Sequence, residues 1–126
     1  MDDRGRNEGI VVSGGTIQAG ALAVGRRARA SQVVQDAGRS LAERGQSEVA
    51  ERLEQLLREL EAHAAQLSNA DEVRESTELL ARELAKPAPN RTTVSGVLGG
   101  IVDSVKSVAG LAGAAQALAQ AIAHFF

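Results

Sequence analysis

The chain has 126 residues with two Phe, no Trp, no Tyr and no Cys, and a formal net charge of −2. Lacking Cys, it has no disulfides, thiolate metal ligands or thiol nucleophiles, and its 14 basic and 16 acidic residues are mixed instead of forming the basic face that nucleic acid selects. Any core is built from Leu, Val, Ile and Ala and thinned by 13 Gly, so a chain this small is expected to gain stability by assembling with copies of itself.

Residues 1–8 are charged and polar, which reads as a disordered leader and not as a signal peptide. The composition then changes abruptly. Ile10, Val11 and Val12 form a short β-prone run, Ser13-Gly14-Gly15 signals a turn, and Thr16 to Val24 alternates. Gly15, Gly20 and Gly25 recur at five-residue steps. This pattern predicts a Gly-rich β segment over 9–27, a β-hairpin or β-arc, with Ile10, Val12, Ile17, Gln18, Gly20, Leu22 and Val24 as positions for β pairing between copies. Arg26, Arg27 and Arg29 follow Gly25, either as gatekeepers against open-ended stacking or as a solvated cluster.

A helical region is expected over 28–86. Its first helix, about Ala28 to Arg44, carries Val33, Val34, Ala37 and Leu41 on one face, and Gly45 stops it. Ser47 is the expected N-cap of the next helix, with Glu48 and Glu51 in its first turn. Val49, Leu53, Leu56, Leu60, His63 and Leu67 then fall at alternating four- and three-residue steps, a coiled-coil seam. Asn69 followed by Glu72 has the form of a capping box and opens a third helix with Val73, Thr77, Leu80 and Leu84 on its face and Leu79 beside them. The short connection predicts an antiparallel hairpin of these two helices. Pro87 and Pro89 end the third helix, and 87–92 is a stiff linker closed by an Asn90 or Thr92 cap.

The remaining 93–126 carries only Asp103 and Lys106 as charges. Val94, Leu98, Ile101, Val105, Val108, Ala112, Ala115, Ala119, Ile122 and Phe126 draw one stripe along a single long helix. Gly96-x-x-x-Gly100 and the small residues Ala109, Gly113, Ala117 and Ala121 permit close approach of another backbone.

No constellation points to catalysis. His63 and His124 lie far apart in the sequence, no Ser/His/Asp set has local context, and the Glu residues fall on helix flanks as salt-bridge partners. Ser13-Gly14-Gly15-Thr16 lacks the Lys and the following helix start of a phosphate loop. A role without catalysis, cofactor or metal is expected.

The stretch Gly14-Gly15-Thr16-Ile17-Gln18-Ala19-Gly20 resembles the short Gly-rich amyloid-signalling motifs of actinobacterial and cyanobacterial immune proteins, in which a Gln-Ala-Gly core is flanked by small and β-branched residues. The overall layout is similar to that of small proteins of filamentous actinobacteria. The resemblance implies templating positions at Gly15, Ile17, Gln18, Gly20 and Leu22. The chain departs from that pattern in placing the motif at its N-terminus and in lacking a separate membrane-killing domain.

The expected molecule is therefore mainly α with a small N-terminal β element: a helical hairpin or bundle plus a long Gly/Ala-rich C-terminal helix. Its expected role is that of a self-associating scaffold module, a cytoplasmic homo-oligomer whose partner is itself. The interface would comprise Val49, Leu53, Leu56, Leu60, His63, Leu67, Val94, Leu98, Ile101, Val105, Val108, Ile122 and Phe126. The alternative is a membrane-active or immune-type signalling effector whose C-terminal helix engages a bilayer. Neither nucleic acid nor a small-molecule substrate is expected as a partner.

Overall fold

The computed structural model describes the backbone from Gly15 and side chains from Gly25, arranged as α1 (Gly15–Glu43), α2 (Ser47–Ala62), α3 (Ala70–Ala85), α4 (Arg91–Val105) and α5 (Ala109–Phe125), with a 3-10 turn at Ala64–Gln66. The leader and Ile10 and Val12 lie outside the described residues. So do the side chains of Ile17, Gln18, Gly20, Leu22 and Val24, which fall within the span of α1. The span of α1 begins at Gly15 and so overlaps the expected β segment, of which the part before Gly15 lies outside the described residues. The overlap, 15–27, contains three Ala, a Leu and no Pro, residues compatible with a helix.

Gly45 makes the first corner. Its φ of 79° is a left-handed value that side chains disfavour, and the N–H of Gln46 returns to the carbonyl of Leu41 at 2.8 Å. The chain reverses there, so Gly38 of α1 faces Ala50 and Glu54 of α2. A Cβ on Gly38 would stand 3.1 Å from the Glu54 carboxylate, and glycine lets the two helices close at that point.

α3 runs parallel to α1. Arg26, towards the middle of α1, pairs with Asp71 at the start of α3, Arg29 with Glu78, and Arg44 past the end of α1 donates to the carbonyls of Leu84 and Lys86 at 3.0 and 2.7 Å. α2 is antiparallel to both, as expected of the hairpin. The caps differ in detail from expectation: Ser47 is the first helical residue of α2, with Gln46 at the N-cap, and Asn69 occupies the N-cap of α3 without a side-chain bond to it. At α4 the Asn90 side chain accepts from the N–H of Thr93 at 2.9 Å.

The expected single C-terminal helix is instead the pair α4 and α5, broken at Lys106–Val108, where Val108 is buried in extended conformation. A continuous helix of this length would run to roughly 50 Å, about twice the length of the 16-residue α2 and α3. Folding back lays α4 against α3 and α5 against α2, while α1 packs on both α2 and α3 from the other side. The break also shifts the phase of the apolar stripe. Leu111, Ala114, Ala115, Leu118, Ala121 and Ile122 are buried, Ala112 and Ala119 are half-buried, and Phe126 is 41% exposed. Burying Leu111 and Leu118 gains more than burying alanines at 112 and 119, so the larger side chains decide which face turns inward.

The core is one cluster: Ala30, Val34, Ala37 and Leu41 of α1 meet the α2 leucines, Val73, Leu80 and Leu84 of α3, and the inner faces of α4 and α5. Val33 is half-buried, and Leu79, expected beside the α3 face, is 54% exposed.

Candidate interaction surface

Most residues expected to join one copy to another line the interior of a single chain. Val49, Leu53, Leu56, Leu60, Val94, Leu98, Ile101, Val105, Val108 and Ile122 are all buried in the common core. The physical reason is the two reversals, at Gly45 and at Lys106–Val108, which bring α1 and α5 onto α2 and so provide within the chain the partner helices that the seam requires. Leu67 is half-buried and Phe126 exposed, with the Phe125 and Phe126 ring centroids 5.1 Å apart.

His63 leaves the seam and follows the last turn of α2. Its Nε2 lies 3.3 Å from Oε1 of Glu59, its Nδ1 lies 3.2 Å from the Gln66 amide, and Gly110 packs on the ring. The glycine at the start of α5 leaves room for this imidazole, because a Cβ there would stand 3.3 Å from Nε2.

Charged groups in the α1–α3 half are more deeply placed than helix flanks suggest. Arg74, only 5% exposed, grips both oxygens of Glu61 at 2.8 Å and Oδ1 of Asp71 at 2.6 Å. These bidentate hydrogen bonds to Glu61 outweigh desolvation and hold the guanidinium pKa above its ordinary value. Glu83 is buried at the α3–α4 junction and accepts from the backbone N–H of Asn90 at 2.7 Å and from Lys86 at 3.0 Å. The Asn90 N–H, then Lys86, hold its carboxyl below the usual glutamate range. Glu78, 3% exposed, offers Oε1 to Arg29 and Arg82 at 3.3 and 3.5 Å, while Oε2 has no hydrogen-bond partner among the described residues. A sequence signal existed for this burial. Arg74 and Glu78 stand one and two turns along from Ala70 on α3, Arg74 turned to Glu61 of α2 and Glu78 to Arg29 of α1, positions that the single stripe Val73–Leu84 did not include. Among the described residues, no group of three His, Asp or Glu side chains is placed to hold a metal.

The α4–α5 half presents a different surface. Arg91, Ser95, Gly96, Gly99, Gly100 and Asp103 of α4 are exposed, as are Gly113 and Gln116 of α5. Between the two helices lies an open, shallow groove lined by Ser95, Leu98, Gly99, Val102, Asp103, Lys106 and Ala119. A Cβ added to Gly96, Gly99, Gly100 or Gly113 would meet nothing within 4 Å. No described helix is long and apolar enough to cross a membrane. No protein-family model, curated protein or solved structure matches this chain.

Proposed function

We propose that this protein is a self-associating helical module with a structural, non-catalytic role, and that its copies meet through the outer face of the α4–α5 hairpin instead of the interior seam. The observation that carries this reading is the set of exposed helical glycines Gly96, Gly99, Gly100 and Gly113. Each lies in a regular helix, and among the described residues only Gly45 has positive φ. None abuts a neighbour that would exclude a side chain. Glycine in a helix interior costs about 1 kcal/mol relative to alanine, so the four together cost about 4 kcal/mol, a large share of the stability of a typical domain. No contact among the described residues recovers that cost. A second helix seated against the glycine face does, by close backbone approach and apolar burial.

The test is the variant Gly96→Ala/Gly99→Ala/Gly100→Ala studied beside the parent chain by sedimentation and thermal melting. The expected outcome is a higher unfolding temperature together with weaker association. A parent chain that sediments as a single copy at its highest workable concentration would sink the reading. The membrane-active alternative draws no comparable support, because α4 and α5 have 15 and 17 residues and neither is long and apolar enough to span a bilayer.

A further inference from the structure

We propose that the partner seated on this face is a second copy whose own α4 lies antiparallel to the first, related by a twofold axis, with Arg91 of each chain on Asp103 of the other. The proposal rests on the self-association reading and names the surface and its register. Arg91, Ser95, Gly99 and Asp103 recur at four-residue steps and are all exposed, so they form one ridge along the outside of α4. Laid against itself in the antiparallel sense, that ridge is self-complementary. Arg91 falls opposite Asp103, and Ser95 falls opposite Gly99, two small residues that let the backbones approach. The same pairs recur on the other side of the axis. A parallel arrangement instead sets Arg91 against Arg91 and Asp103 against Asp103.

A second observation points the same way. A helix favours acidic groups at its start and basic groups at its end. α4 begins with Arg91, has no acidic residue in its first turn and no basic residue in its last, and carries Asp103 in its final turn. Both charges oppose the dipole of their own helix. Lys106, 3.0 Å from Asp103 and itself exposed, offsets only one of them. Against an antiparallel copy the disposition becomes favourable, since Arg91 then lies beside the carbonyl end of the partner's helix and Asp103 beside its N–H end. The twofold closes the assembly as a dimer, with the same patch used on both chains. Leu98, Val102 and Ala119 of the adjoining groove provide apolar contact beside the polar ridge.

Two charge reversals in the full chain test this register. Arg91→Glu sets Glu against Asp103, and Asp103→Arg sets Arg91 against Arg, twice per dimer in each case. Both substitutions place charges in agreement with the dipole of α4, and the Lys106 pair that Asp103→Arg removes is exposed and contributes little, so both chains are expected to fold about as well as the parent, which far-UV circular dichroism and melting check. Each alone is expected to self-associate about tenfold or more weakly than the parent, as like charges across an interface demand. An equimolar mixture restores opposite charges at both contacts and is expected to give a mixed dimer, seen by native mass spectrometry and sedimentation. If the parent dimerises and neither reversal nor mixing alters association, this register is overturned while self-association stands. A parent chain that never associates overturns the functional reading itself. Association of the parent only on phosphatidylcholine–phosphatidylglycerol vesicles overturns the self-pairing in favour of a lipid surface.

Discussion

The two halves of this molecule are held together by different means. In α1–α3 the packing is defined by large side chains and by ion pairs that cross between helices: Leu41, Leu53, Leu56, Leu60, Leu80 and Leu84 are fully buried, and Arg26, Arg29, Arg44 and Arg74 tie neighbouring elements together. In α4–α5 the only ion pair among the described residues is the exposed Asp103–Lys106, and the outward face is dominated by small and polar residues, with Arg91 and Asp103 near its two ends. Large and charged groups specify a single register because few placements satisfy them. Small residues specify less, leave the surface able to receive another backbone, and lower intrinsic helicity.

The largest expected effect comes from emptying either half of a leucine. Leu60→Ala and Leu118→Ala, both at fully buried positions, are each expected to cost about 2–5 kcal/mol, measured by urea unfolding. Next is Arg74→Met, expected to cost about 1–3 kcal/mol by leaving Glu61 without its bidentate partner. The counterpart in the other half, Lys106→Ala, is expected to leave the unfolding midpoint unchanged, as an exposed pair allows.

Glycine substitutions should act with opposite signs in the two halves. Gly45→Ala is expected to destabilise by about 1 kcal/mol because of its left-handed backbone. Gly113→Ala is expected to stabilise the folded chain by about 1 kcal/mol because the added methyl enters open space. Parallel thermal melts decide both. Both halves destabilised alike would remove the argument that the exposed glycines have no role within the chain.

The smallest effect concerns Glu83 at the junction of the halves. Its folded pKa is lowered by the N–H of Asn90 and by Lys86, so ionised Glu83 contributes stability that is fully present above the ordinary value of 4.5 and is lost as pH falls from there through the lowered folded value. Melting temperature followed from neutral pH downwards should fall in that window, and Glu83→Gln should flatten the slope there. An unchanged slope in the variant would assign the acid sensitivity to other carboxylates.

Much of the helical layout was legible along the chain. The four–three spacing of Val49 to Leu60, the stop at Gly45, the break at Pro87 and the cap at Asn90 are local signals, and local geometry acts on them directly. The reversal at Lys106–Val108 was not legible, because no Pro or Asn-Gly marks it. The candidate interface shows the same division. An apolar stripe identifies residues that must be covered, and it is silent on whether the cover comes from the same chain or from another.

What the residues by themselves determined is therefore which positions prefer burial and where helices begin and end, since propensity, capping and periodicity operate within a few turns. Only the tertiary structure decided who covers whom. It placed the seam of α2 under α1 and α5, turned Arg74, Glu78 and Glu83 into interior polar groups, and left Gly96, Gly99, Gly100 and Gly113 facing outward. The physical reason is that burial depends on area removed from water and not on its source, so the choice between an internal and an external partner rests on where the chain turns.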